Sequence, residues 1–386
     1  MSEQVETLDH EQFGVSPERG FLPDIDPLAS LETAGHPRLR RLETAGDDLS
    51  NLLERDRLGP TVRNLEAPPP GAFDDLSRRE LHRVYTVAGL LANAYVHRND
   101  APTVDAIPAG VAVPLYEATD RLGRTPVLSY DAYVLHNWTR EDTNGGTSPP
   151  NVAPLARFFD VQDERWFVAV HVAIESAAGP AVGAIGDAQQ GVRDDDEERV
   201  REALGTIADA LDDVTRILDR MPERNDPEAY GQGVRPYLGS ISGVRYDGVD
   251  ALDGSQSFRG ASGAQSSIFP ALDAALGVDH GDNPLVDHLL ELRRDMPPGH
   301  RAFVEAADRG PDVRDFAATA GDDLREAYDD CIDRMVTFRE HHVDVVETYL
   351  VGQVDEQEGT GGTPFGRYLT SFIDDTREAG LSGFAG

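Results

Sequence analysis

Apolar residues at spacings of three and four run through Leu76–Arg98, where Leu81, Val84, Tyr85, Ala88, Leu91, Tyr95 and Val96 share one stripe. That period predicts an amphipathic helix. Similar patterns predict long helices over Trp166–Ala188, Glu197–Arg220, Pro284–Asp295, Gly321–Val351 and Pro364–Ala379, with a kink at Pro180. The acidic run Asp194–Glu198 suits a helix start, where the dipole favours negative charge. Residues 1–75 are broken by Pro and Gly, with one helical stretch near Ser30–Arg57. IPAGVAVPL, Ile107–Leu115, reads as a short Pro-flanked extended segment, and TNGGTSPPN, Thr143–Asn151, as a break. No internal repeat, phosphate loop or dinucleotide fingerprint is present. The expected fold is mainly α, with a small mixed N-terminal domain over 1–125 and a large helical domain over 126–386.

Charge changes the picture next. The 386 residues carry 70 acidic and 35 basic side chains, a net charge of −35, and every basic residue is arginine. Such a field disfavours nucleic acid and anionic membranes as partners, and it suits life in concentrated salt. The single cysteine, Cys331, excludes an internal disulfide and a multi-cysteine metal site. The N-terminus is polar and acidic, unlike a signal peptide, and the longest apolar run, Trp166–Ile174, is about half a membrane span. The expectation is a cytoplasmic protein with no membrane partner.

Two histidines stand out. On Gly321–Val351, Cys331, Met335, Phe338, Val345 and Tyr349 form a stripe whose gap is filled by His342, whereas His341 points about 100° away. His342 is by periodicity either a satisfied core histidine or an axial ligand to haem iron. His171 lies within an apolar run, with Phe167 at i−4 and Ile174 at i+3, and it too reads as a core residue or a polar group in a pocket. The loop Ser257–Phe269 offers hydroxyls and backbone N–H groups to an anion, or is a plain turn. GTGGT, Gly359–Thr363, is a lid or a flexible linker, and nothing local separates Arg235 from the other arginines.

In chain order, GFLP, AYVHR, IPAGVAVPL, PVLSYDAYVLHNW, ASGAQSS, MPPGHRAF, REAYDDC, REHH and GTGGT together resemble the indoleamine 2,3-dioxygenase family, haem enzymes that open the indole ring of tryptophan. The resemblance covers nearly the whole chain. It implies haem b with ferrous iron as cofactor, L-tryptophan or a related indole and O2 as partners, and His342 as proximal iron ligand. It implies that Arg339 and Asp273 form an ion pair on the proximal side. On the distal side it sets Phe167 against the indole, Arg235 against the substrate carboxylate, Ser262 and Gly263 near a propionate and the substrate ammonium, and Thr360 in the lid. Tyr133 stands where many members carry a pocket-wall cysteine.

Two departures bear on substrate. An aromatic pair familiar in animal members is here Tyr230–Gly231, and a distal serine is here His171, similar to tryptophan 2,3-dioxygenase. The expected reaction is insertion of both atoms of O2 across the indole C2–C3 bond to give N-formylkynurenine, with His171 the catalytic-side polar residue. Alternatives are a relative acting on another indole, a relative performing a different haem-bound step, a non-catalytic haem or gas-binding protein, and a purely structural helical protein.

Overall fold

A computed structural model describes residues 8–31, 36–98, 103–281, 284–351 and 367–382 of the chain. The N-terminal third is organised by helix α1, Arg78–His97. Ser77 caps it reciprocally: its hydroxyl accepts from Glu80 N, and Glu80 accepts from Ser77 N at 2.7 Å. From Leu81 to Tyr95 every residue of α1 is buried, so the helix runs through the core and not along its surface. The helical stretch expected near 30–57 is divided into Pro37–Asp47 and Leu49–Glu54, and a further helix, Leu58–Asn64, follows it.

The extended reading of 107–115 is corrected. Strand β1 is only Ala106–Ile107, and helix α2 runs from Ala109 to Leu122 with Pro114 inside it. Pro108 precedes the first turn, where a missing N–H costs nothing. Gly110 lets α2 approach a neighbouring backbone, because a Cβ there would come within 2.2 Å of the Leu65 carbonyl oxygen. Packing thus overrides the extended preference of the prolines.

The break at 143–151 lies between β2, Trp138–Arg140, and β3, Val152–Pro154, which pair antiparallel. Helices α3, Gln162–Ala177, and α4, Gly179–Asp194, are separated at Ala178, the bend expected at Pro180. This double helix is apolar and long enough by composition to cross a membrane, but 72% of its most apolar window is buried in the fold. Helix α5, Glu197–Leu218, starts at Asp196, whose carboxylate accepts from Arg199 N at 3.1 Å. Strands β4, Ile241–Tyr246, and β5, Gln256–Phe258, complete a sheet of order β1-β4-β5, parallel then antiparallel, with Ile107 opposite Tyr246.

The last third supplies α6, Ile268–Leu276, α7, Pro298–Asp308, α8, Asp322–Val346, and α9, Arg367–Glu378. Helix α5 is central: α3, α4 and α8 all pack on it, and α9 packs on α8. Several bonds cross residue 125. Strand β1 pairs with β4, Tyr85 donates its hydroxyl to Val127 O at 2.9 Å, and Asn93 Nδ2 donates to Tyr237 O at 3.1 Å.

Candidate functional site

Helix α3 places Phe167, His171 and Glu175 four residues apart, one above another on one face. His171 Nδ1 donates to Phe167 O at 2.9 Å, which leaves Nε2 with its lone pair. Burial lowers the His171 pKa to about 4, so the ring is a neutral acceptor at neutral pH. The Phe167 ring lies 4.1 Å from the His171 ring and stacks on Tyr230 at 4.6 Å and 22°. Tyr133 stands 6.4 Å from Phe167, and Tyr130 meets His171 edge-on at 6.0 Å.

Two buried carboxyls hold these aromatics. Glu175 Oε1 accepts from Tyr130 OH at 2.9 Å and from Ser266 Oγ at 2.7 Å. Glu164 accepts from Tyr133 OH at 3.1 Å and from the backbone N–H groups of Phe158 and Phe159 at 2.9 and 2.8 Å. Burial raises both to about 7 against the hydrogen bonds that lower them. Neither carboxyl was singled out from the sequence. The i+4 step from His171 would have found Glu175, whereas Ser266 and Tyr130 are brought to it only by the fold.

Arg235 is buried, on a single turn, Arg235–Leu238, that follows the turn carrying Tyr230, and its charge reaches the Tyr230 hydroxyl. Ser262 caps a short turn through Ala264 N, and Gly263 is exposed. Among the described residues no hydrogen bond joins Ser262 to Phe167, His171 or Arg235. Their loop is instead tied to the site through Ser266 and through Gln265, which accepts from Tyr130 N at 2.9 Å. Thr360 and the GTGGT segment lie outside the described residues.

Facing α3 is α8. His342 continues the stripe of Cys331, Met335 and Phe338, its ring nearly parallel to that of Phe338 at 6.0 Å. His341 turns outward and pairs with Asp219 at 2.7 Å. Burial first, then the charges of His171 and Arg339, lowers His342 to about 4. Both His171 and His342 keep some accessible surface although each is deeply desolvated, as expected of side chains lining an enclosed space. One turn away, Arg339 holds both oxygens of Asp273 at 2.7 and 2.8 Å. Burial alone would raise the Asp273 carboxyl, but Arg339 and His280 keep it below the usual range.

The family model described as indoleamine 2,3-dioxygenase matches residues 9–364. The chain belongs to the indoleamine 2,3-dioxygenase family. It is 32% identical to indoleamine 2,3-dioxygenase 1 of Rattus norvegicus over 96% of each chain. It is 30% identical to the Aspergillus candidus enzyme over 96% of each, and 27% identical to that of Saccharomyces cerevisiae over 97% of this chain and 86% of that one. Membership makes the chain a haem dioxygenase, an oxidoreductase of tryptophan catabolism. The residues fit that cofactor: His342 is a buried imidazole held neutral, the form that ligates iron, on a helix fixed by an ion pair.

Proposed function

We propose that the chain cleaves the indole C2–C3 bond of L-tryptophan with O2, giving N-formylkynurenine, on ferrous haem b. The observation that carries this reading is the pair of neutral imidazoles, His171 on α3 and His342 on α8, desolvated and close enough for the charge of one to reach the other, with stacked aromatics beside His171. When bound, haem supplies the activation of O2. The protein supplies ligation, orientation and exclusion of water.

In this reading His342 holds the iron, and the Arg339–Asp273 pair keeps α8 from rotating. Phe167 and Tyr230, stacked on each other, would pack against the indole ring and orient it. His171 Nε2 accepts the indole N–H, fixing which edge of the ring faces the oxygen. Arg235 pairs with the substrate carboxylate, for which a planar guanidinium is well shaped. Ser262 and Gly263 serve the ammonium group and a propionate, with Tyr133 in the pocket wall and Thr360 closing the amino-acid end. Residues 1–125 frame one side of the site and 126–386 carry it. The acidic, lysine-free surface supports a cytoplasm rich in salt as the setting.

Haem-loaded protein, reduced without oxygen and then given O2 and L-tryptophan, is expected to develop formylkynurenine absorbance. Haem binding with O2 uptake but no product would make the chain a gas-binding protein instead. A second reading, another indole as substrate, is favoured by the Tyr230–Gly231 pair and by Tyr133. Turnover of a substituted indole well above that of L-tryptophan would establish it.

A further inference from the structure

Away from the space between α3 and α8, three side chains that have no part in the dioxygenase reading converge. His82 lies on α1, while Asp131 and His136 flank the turn Asp131–Leu135. Ring nitrogens of the two histidines and a carboxylate oxygen of Asp131 all lie within 4.8 Å of one another. The two rings stack at 3.6 Å and 4°. His136 Nδ1 donates to Asp131 Oδ1 at 2.7 Å, so its Nε2 carries the lone pair. The other carboxylate oxygen accepts from Arg124 Nε at 2.6 Å.

A second observation is independent of this clustering. His82 Nδ1 is buried without a hydrogen-bond partner among the described residues, in a residue only 6% exposed. His300 on α7 is equally buried, its Nδ1 is likewise without a partner, and the charges of Asp131, Arg124 and His136 reach it. A buried unsatisfied nitrogen costs roughly 1–3 kcal/mol, and here two occur around one carboxylate.

We infer that His82, His136 and Asp131 form a binding site for a borderline divalent cation such as Zn2+, separate from the iron site. Two imidazoles and one carboxylate suit Zn2+ or its transition-metal neighbours and not Ca2+ or Mg2+, which want oxygen ligands. The cation would take the place of the proton between Asp131 Oδ1 and His136 Nδ1, the His136 ring then carrying its hydrogen on Nε2. Burial keeps His82 and His300 neutral, so no proton need leave them first. Binding requires the parallel rings to tilt apart, since a ligated metal lies in each ring plane. His136 has the room, its side chain being 14% exposed. The nearby Arg124 charge is matched by Asp131, and Arg78, whose charge also reaches His82, is exposed.

Such an ion would tie α1 to the turn that carries Tyr133 and follows Tyr130, the residues bonded to Glu164 and Glu175. His300 brings α7 to the same place. The site would therefore clamp segments distant in sequence at the back of the indole pocket.

The test is titration of chelator-treated, haem-loaded protein with Zn2+ by calorimetry, and with Co2+ by visible absorption. One saturable equivalent of micromolar or tighter affinity is expected, with Co2+ bands of a nitrogen-containing site and a raised melting temperature. His82→Gln and His136→Asn should each weaken binding at least tenfold, and the double variant should abolish it. His341→Ala, a surface control, should leave it unchanged. His136→Asn changes a partly exposed residue and keeps the test decisive if His82→Gln does not fold. Absence of saturable binding, or binding that survives His136→Asn undiminished, would overturn the inference.

Discussion

Arg339 grips Asp273 through both carboxylate oxygens, and the same guanidinium donates to Phe372 O at 3.1 Å. One side chain thereby joins α6, α8 and α9. Both members are nearly buried, at 11% and 13% side-chain exposure, so removing one strands a charge in a desolvated place. Asp273→Ala is expected to destabilise the chain by about 3 kcal/mol and to lower haem retention, read by urea unfolding and by Soret absorbance. Unchanged values in both would show that the pair supports neither the fold nor the helix bearing His342.

His342→Ala should abolish stable haem binding, and His341→Ala should not. The two adjacent side chains point in different directions, one desolvated within reach of the His171 charge and the other paired with Asp219. The ferrous Soret spectrum of each purified variant decides the matter. A normal spectrum from His342→Ala would remove it from the axial role.

Arg235→Ala should weaken L-tryptophan binding by about 2–5 kcal/mol, at least roughly thirtyfold, and leave haem affinity intact. Its guanidinium is buried beside Tyr230, so a carboxylate reaching it pairs in a desolvated setting. Indoles without a carboxylate should bind wild type and variant alike. Equal losses for both ligand types would take Arg235 out of the carboxylate role.

His171→Ser should retain haem and lose activity in part. Its Nε2 is the acceptor left open by the Nδ1 bond to Phe167 O. Methylation of the indole nitrogen should therefore slow wild type more than the variant. If mutation changes the rates on tryptophan and 1-methyltryptophan in the same proportion, the side chain does not sense the N–H.

Glu175 gives a pH dependence of defined sign. Burial lifts its pKa from 4.5 to about 7, so the folded chain keeps a proton that the unfolded chain has already lost. This group's contribution to stability accordingly falls as pH rises from 4.5 to about 7 and is level above that. Two and a half pKa units correspond to about 3 kcal/mol at most. Glu175→Gln has no titrating group at this position, so wild type should lose ground to it between pH 5 and pH 7.5 in urea unfolding of haem-free protein. A difference between the two that stays constant over that range would mean the carboxyl does not hold its proton.

The long helices were legible from sequence because a period of 3.6 is a local signal repeated over several turns. Leu76–Arg98 became Arg78–His97, and Gly321–Val351 became α8 with its terminal turn. The divergent directions of His341 and His342 follow from that period alone. IPAGVAVPL was misread since proline restricts the chain locally, while the close approach of Gly110 to Leu65, which favours the helix, is a contact across many residues. The ordered run of motifs from GFLP to GTGGT was enough to identify the family. Tertiary structure alone decided that Glu175 accepts hydrogen bonds from Tyr130 and Ser266, and that His82 stacks on His136. Those partners are separated by 45, 91 and 54 residues in the chain. Sequence periodicity fixes which face of a helix is apolar; which polar group meets which across the core depends on how the helices cross, and no local pattern encodes that.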